Sequence, residues 1–128
     1  MQDYDMVFLH PPASFRKLDH PLGGIFEAGT GTTDMLAMMP LGVTSMANEI
    51  HRAGLRTAVL NVARLFLGYR SKGTMTLAED LDSYSAGVYG IDLHWSAHTS
   101  GALDLARWIK KTRPEASVIL GGLTATFF

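Results

Sequence analysis

Three short polar stretches interrupt apolar runs in this chain, and they hold most of the side chains able to do chemistry. They are His10-Pro11-Pro12, Asp92-Leu93-His94-Trp95-Ser96 and Gly121-Gly122-Leu123-Thr124, with Asn61 standing alone after a fourth apolar run. Histidine offers acid–base or metal chemistry near neutral pH. His94 and His98, four apart, could share one helical face and a metal ion. Against that pairing, Asp92 and Trp95 place the end of a strand there, which leaves His94 outside the helix. Asp92 can cap the coming helix or contact a ligand. Gly121-Gly122 lets a backbone approach a ligand closely, and the start of the next helix can hold an anion. The same pair can equally be a tight strand-to-helix turn, and His10 can be a loop residue satisfied by backbone.

Other chemistry is excluded by residue type. The chain has no cysteine, so it holds no disulfide, thiolate nucleophile or cysteine-ligated zinc or iron–sulfur cluster. That absence suits a cytoplasmic protein. Gly29-Thr30-Gly31 lacks the lysine and spacing of a phosphate loop, and no serine–histidine–acid grouping is indicated by spacing. The seven methionines read as core filler rather than a cofactor box. Eleven basic and twelve acidic residues give a net charge of −1, so charge supplies no reason to expect nucleic acid or an anionic membrane as partner. No apolar run approaches the roughly 20 residues of a membrane helix, and the start, Met1-Gln2-Asp3-Tyr4-Asp5, lacks the features of a secretory signal.

The elements that must position these residues follow a β-α-β rhythm. With 128 residues, 47% hydrophobic and 18% charged, the chain suits one globular domain. Met6–Leu9 reads as a strand stopped by two prolines, which cannot donate to a ladder. Residues 13–39 read as a long loop. Pro40-Leu41-Gly42 opens a helix with Val43, Met46, Ala47, Ile50 and Ala53 on one face and Gly54 as its cap. Thr57–Val62 is the second strand, and residues 63–74 are ambiguous. Leu77–Tyr84 reads as a short helix, with Thr76 and Glu79 forming a capping box. Val88–Asp92 is the third strand. His98–Thr112 is the clearest helix, with Ala102, Leu105, Ala106 and Ile109 facing inward and Pro114 as its stop. Ser117–Leu120 is the fourth strand. Together these predict an α/β doubly wound parallel sheet, flavodoxin-like (Rossmann-like), that ends after its fourth strand where a helix and fifth strand would follow. The chain therefore reads as the N-terminal fragment of a longer protein. In such sheets ligands bind beyond the carboxyl ends of the strands, where the polar stretches fall.

The order Leu9-His10-Pro11-Pro12, then Pro40-Leu41-Gly42, then Gly90-Ile91-Asp92, then Leu120-Gly121-Gly122-Leu123-Thr124-Ala125 resembles the N-terminal cobalamin-binding domain of radical S-adenosylmethionine proteins. The resemblance runs over almost the whole of residues 1–128. It implies a module that binds a corrinoid, with the cofactor's nucleotide tail between sheet and helices. It also implies a partner, a C-terminal radical S-adenosylmethionine domain, which would hold the iron–sulfur cluster and S-adenosylmethionine. By position in the family pattern, Ser96 matches a tail-contacting hydroxyl, and Gly121, Gly122 and Thr124 match the turn lining the tail. His10, Pro11, Pro12, Asp92 and His94 complete the expected cobalamin-binding set by their place at the strand ends. Three departures stand out. Asp92 replaces the usual serine. No Asp-x-His-x-x-Gly motif supplies a histidine lower ligand for cobalt, and His10, in Leu-His-Pro-Pro, is not assigned that role. The Cys-x-x-x-Cys-x-x-Cys cluster motif is absent. Two other readings remain: a flavodoxin-like regulatory or interaction domain that binds no cofactor, and a small hydrolase or metal enzyme using His10, His94 and His98.

Overall fold

A computed structural model describes residues 2–13, 38–65 and 77–127. Strand β1 (Gln2–His10) is followed by helix α1 (Leu41–Arg52), β2 (Thr57–Asn61), α2 (Leu77–Asp82) and β3 (Tyr84–Asp92). A single 3-10 turn (Ser96–His98) then leads into α3 (Thr99–Thr112), β4 (Ser117–Gly121) and a short α4 (Leu123–Phe127). All strand pairs are parallel, in the order β2-β1-β3-β4. This is the flavodoxin-like arrangement, with the order reversing between β1 and β3. The expected fold class is therefore the observed one.

The sheet is buried unequally on its two faces. Odd positions of β1, Val7 and Leu9, join Leu60, Tyr89, Ile91, Leu81 of α2 and Ala102, Leu105 and Ile109 of α3 in the larger core. Even positions, Met6 and Phe8, pack with Val43, Ala47 and Ile50 of α1 in a much smaller one. A strand covered on both faces reads as an unbroken apolar run rather than an alternating one, which is how Met6–Leu9 reads. Leu105 is only 1% exposed. Leu105→Ala is expected to cost about 2–5 kcal/mol, since the surrounding core relaxes only partly into the cavity. Urea unfolding followed by circular dichroism measures that loss.

Several boundaries differ from the expected ones, each for a tertiary reason. β3 starts at Tyr84, not Val88, and α2 ends at Asp82, so Tyr84 is a strand residue. The extra residues pair with an equally extended β1, Gln2↔Tyr84 through Tyr4↔Ala86. Stacking of Tyr4 on Tyr84 at 5.8 Å secures them. So does the Tyr89 hydroxyl, which donates to the Tyr84 carbonyl and accepts from the Ala86 N–H. β2 stops at Asn61, whose side chain accepts a hydrogen bond from the Arg64 N–H and caps the helical turn that begins at Val62. On α1, Val43 and Ala47 are buried as expected, but Met46 and Ala53 are exposed, because the described part of that sheet face carries one helix. Thr76 and the Glu79 side chain of the expected capping box lie outside the described residues, as does Gly29-Thr30-Gly31.

One exposed contact fixes the entry into β2. The Arg56 side chain and its backbone N–H both donate to the Asp5 carboxylate. The guanidinium holds that carboxyl below its ordinary range, chiefly by this side-chain hydrogen bond.

Candidate functional site

The carboxyl ends of β3 and β4 are locked together by backbone. Leu93 N–H donates to the Gly121 carbonyl at 2.6 Å, and the Leu93 carbonyl accepts from Thr124 N–H at 3.1 Å and Ala125 N–H at 3.4 Å. The Thr124 hydroxyl donates to the His94 carbonyl at 3.0 Å. Gly122 makes this corner possible. Its φ is +117°, and a Cβ there would lie 2.8 Å from the Leu93 carbonyl group and the His94 nitrogen. The close backbone approach expected of Gly122 is thus made to the chain itself, and the Thr124 hydroxyl is engaged by His94.

At the reversal point between β1 and β3 stand His10 and Asp92, one residue beyond the paired Leu9 and Ile91. His10 Nδ1 donates to Asp92 Oδ2 at 2.8 Å, and the two side chains are 0% and 6% exposed. A carboxylate this deep needs such a partner, because desolvating it alone is very costly. The imidazole is enclosed by rings: His98 edge-on at 4.9 Å between centroids and Trp95 at 6.3 Å. His10 is therefore an interior strand residue paired with a carboxylate, rather than a loop residue. Pro11 and Pro12 are buried too. The loop they form is clamped by α3, where Gly101 N–H donates to the Ala13 carbonyl at 3.1 Å. Gly101 permits this approach, since a Cβ there would overlap the Pro12 carbonyl oxygen.

On the thinly covered face, a groove of about 640 Å³ runs between α1 and the strands β1, β3 and β4. Its walls are Met6, Phe8, Val43, Met46, Ile50 and Ile119, and its strand-end limit is formed by Asp92, His94, Gly121 and Gly122. Gly90 lies at its floor. A Cβ at Gly90 would meet Phe8 Cδ1 at 2.9 Å and Met6 Cε at 3.0 Å, so the absent side chain lets both residues lie across the sheet. Gly121 differs from its neighbour: a Cβ there meets nothing within 4 Å and would project into open space.

Of the nine residues expected to contact a cofactor, the structure brings Asp92, His94, Gly121 and Gly122 to the groove. His10 stands behind Asp92, Pro11 and Pro12 lie under α3, Thr124 closes the corner, and Ser96 is exposed on the 3-10 turn, with its carbonyl accepting from the Thr99 hydroxyl. Sequence reasoning missed the apolar walls. The even positions of β1, with Gly90 and Ile119 in register beside Phe8, carried the signal, but an apolar run does not say which face is uncovered.

The expected metal pair does not form a common face. His94 is half-buried against Trp95, whereas His98 is fully buried beside His10. Among the described residues no group of three or more histidines, aspartates and glutamates could hold a metal ion. No helix there is long and apolar enough to cross a membrane. The site's chemistry is that of a binding slot, apolar along its length with one carboxylate and one imidazole at its strand-end limit. Compared with known proteins, the chain matches no family model, no curated protein and no solved structure.

Proposed function

We propose that this domain is the cobalamin-binding module of a radical S-adenosylmethionine enzyme, presenting a corrinoid to a C-terminal catalytic domain. The observation that carries the reading is the apolar groove that reaches the strand ends beside the β1–β3 reversal point. The motif order described above supports it. The groove's volume lies within the roughly 300–1,000 Å³ of ordinary ligand sites, and its apolar walls suit a flat heterocycle such as the cofactor's nucleotide base. Met6, Phe8, Met46 and Ile119 would hold that group along the groove, with Asp92, His94 and Gly121 at its limit. The corrinoid would supply the methyl-transfer or redox chemistry; this chain binds it, orients it and excludes water from its tail. His10, fully buried and bonded to Asp92, offers no lower ligand to cobalt. Iron–sulfur cluster and S-adenosylmethionine belong, in this reading, to the catalytic domain.

Titration with hydroxocobalamin tests the proposal, following the visible spectrum and the cobalt retained after gel filtration. Near-stoichiometric binding is expected. Gly121→Leu should weaken it at least about tenfold, since its side chain projects into open groove space, with stability changed by no more than about 0.5 kcal/mol. No binding, or binding indifferent to Gly121→Leu, would overturn the reading.

A second reading, an interaction domain without cofactor, draws on β4. Ile119 and Leu120 of that strand, with Leu123 and Phe127 of α4, are 53%, 38%, 55% and 73% exposed, and exposed large apolar side chains of this kind suit an interaction surface. Concentration-dependent sedimentation with no corrinoid uptake would favour it.

A further inference from the structure

We infer that Asp92 is the specificity-determining residue of the groove, selecting ligands that present an N–H or O–H donor at the strand-end limit, and that His10 is the residue that positions it. The inference goes one step beyond the corrinoid reading and rests on it only for the choice of probe.

The groove is apolar along its length, and among the described residues its ionisable side chains are Glu49, Asp92 and His94. Glu49 lies on the outer helix, where it pairs with Arg52 and both side chains are about 70% exposed. Asp92 is different. It sits at the reversal point, nearly buried, with Oδ2 engaged by His10 Nδ1. Oδ1 is then the oxygen with capacity for a ligand, and a carboxylate oxygen only accepts. Because Asp92 is itself nearly buried, an acceptor of this kind discriminates strongly. A ligand hydroxyl or amide placed there gains a charge-assisted bond, and a ligand lacking the donor leaves the carboxylate desolvated without return.

His10 gives the carboxylate its fixed orientation. The imidazole is itself packed edge-on against His98 and Trp95, so the Asp92 side chain cannot turn away without breaking the bond that compensates its own nearly buried carboxylate. The arrangement inverts the familiar acid–base dyad: the carboxylate faces the ligand and the histidine stands behind it.

The test uses a benzimidazole ribonucleoside and its 2′-deoxy analogue, with hydroxocobalamin run alongside, on the wild-type domain and on Asp92→Asn. Asparagine can still accept from His10 through its carbonyl, and it then turns an NH2 donor toward the groove. The wild type is expected to bind the ribonucleoside roughly tenfold to a hundredfold more tightly than the deoxy analogue, the range of one charge-assisted hydrogen bond. Asp92→Asn, whose NH2 can offer the ribose hydroxyl only an uncharged hydrogen bond, should cut that preference to a few-fold at most while keeping the wild-type unfolding midpoint within a few degrees. His10→Asn, which keeps an N–H donor near the Nδ1 position, should retain the preference, and His10→Leu should lose it. A merely structural role for His10 would lower affinity for both nucleosides alike.

Equal affinity of the wild type for the two nucleosides overturns the inference, as does a preference of undiminished size in Asp92→Asn. Corrinoid binding without donor preference overturns this inference alone. Donor preference that depends on Asp92, without corrinoid binding, supports it and overturns the corrinoid reading instead. No binding of any of the three probes overturns both.

Discussion

Alanine at position 101 is expected to destabilise the domain by more than about 3 kcal/mol, although it stands in a helix. In an isolated helix the same change would stabilise by about 1 kcal/mol, because alanine is a far better helix former than glycine. Here the sign reverses. Gly101 is buried near the start of α3, and the added methyl would overlap the Pro12 carbonyl oxygen and lie 2.8 Å from its carbon. Neither side can yield cheaply. Pro11 and Pro12 have fixed φ angles and follow directly from the central strand β1, whereas α3 is held by Ala102, Leu105 and Ile109 in the main core. Overpacking against a yielding neighbour costs about 1–3 kcal/mol; against rigid backbone at this distance we expect more than about 3 kcal/mol, a large share of the 5–15 kcal/mol typical of a domain. The separation of α3 from the loop would also release the hydrogen bond from Gly101 N–H to Ala13. Urea unfolding of Gly101→Ala beside Ser100→Ala, an exposed neighbour on the same helix, provides the comparison. A midpoint for Gly101→Ala equal to or above the control would show that the Pro12–α3 contact is not as close as described.

Gly122→Ala should also be strongly damaging, again through backbone rather than core volume. A φ of +117° is unfavourable for any residue with a Cβ, and the new atom would also lie 2.8 Å from the Leu93 carbonyl and His94 nitrogen. The expected loss is about 2–4 kcal/mol, combining backbone strain of about 1–3 kcal/mol with disruption of the corner. Its effect should be localised first. The Leu93 and Thr124 amides donate across this corner, so their hydrogen exchange should accelerate before the rest of the sheet responds. Gly121→Ala, one residue earlier with open space around its Cβ, should change stability by less than about 0.5 kcal/mol. Two adjacent glycines with opposite responses would separate the turn requirement from the groove requirement. Similar losses at both positions would mean the corner is packed differently.

Much of the architecture was legible in the sequence because it depends on local chemistry. The prolines after His10 end β1, since they cannot extend a ladder. Val43 and Ala47, and Ala102, Leu105 and Ile109, fall at helical spacing and are buried. Four short apolar runs linked by helical periodicity lead to a parallel sheet, because a parallel connection needs a crossover. Boundaries were less legible where pairing partners set them. Nothing local makes Tyr84 a strand residue; the facing stretch Gln2–Tyr4 of β1 does.

The site divides in the same way. Residue type and strand-end position alone marked Asp92, His94, Gly121 and Gly122 as neighbours of a crevice, since strand ends gather at one edge of such a sheet. Tertiary structure decided their roles. It paired His10 with Asp92 across 82 residues of chain, closed Gly122 and Thr124 onto the Leu93–His94 backbone, and left Gly121 facing the groove. It also left Met6, Phe8, Met46 and Ile119 lining one thinly covered face. The physical reason is that periodicity and turn chemistry act over a few residues. Which polar groups meet, and which apolar face stays open, depends on contacts between segments far apart in the chain.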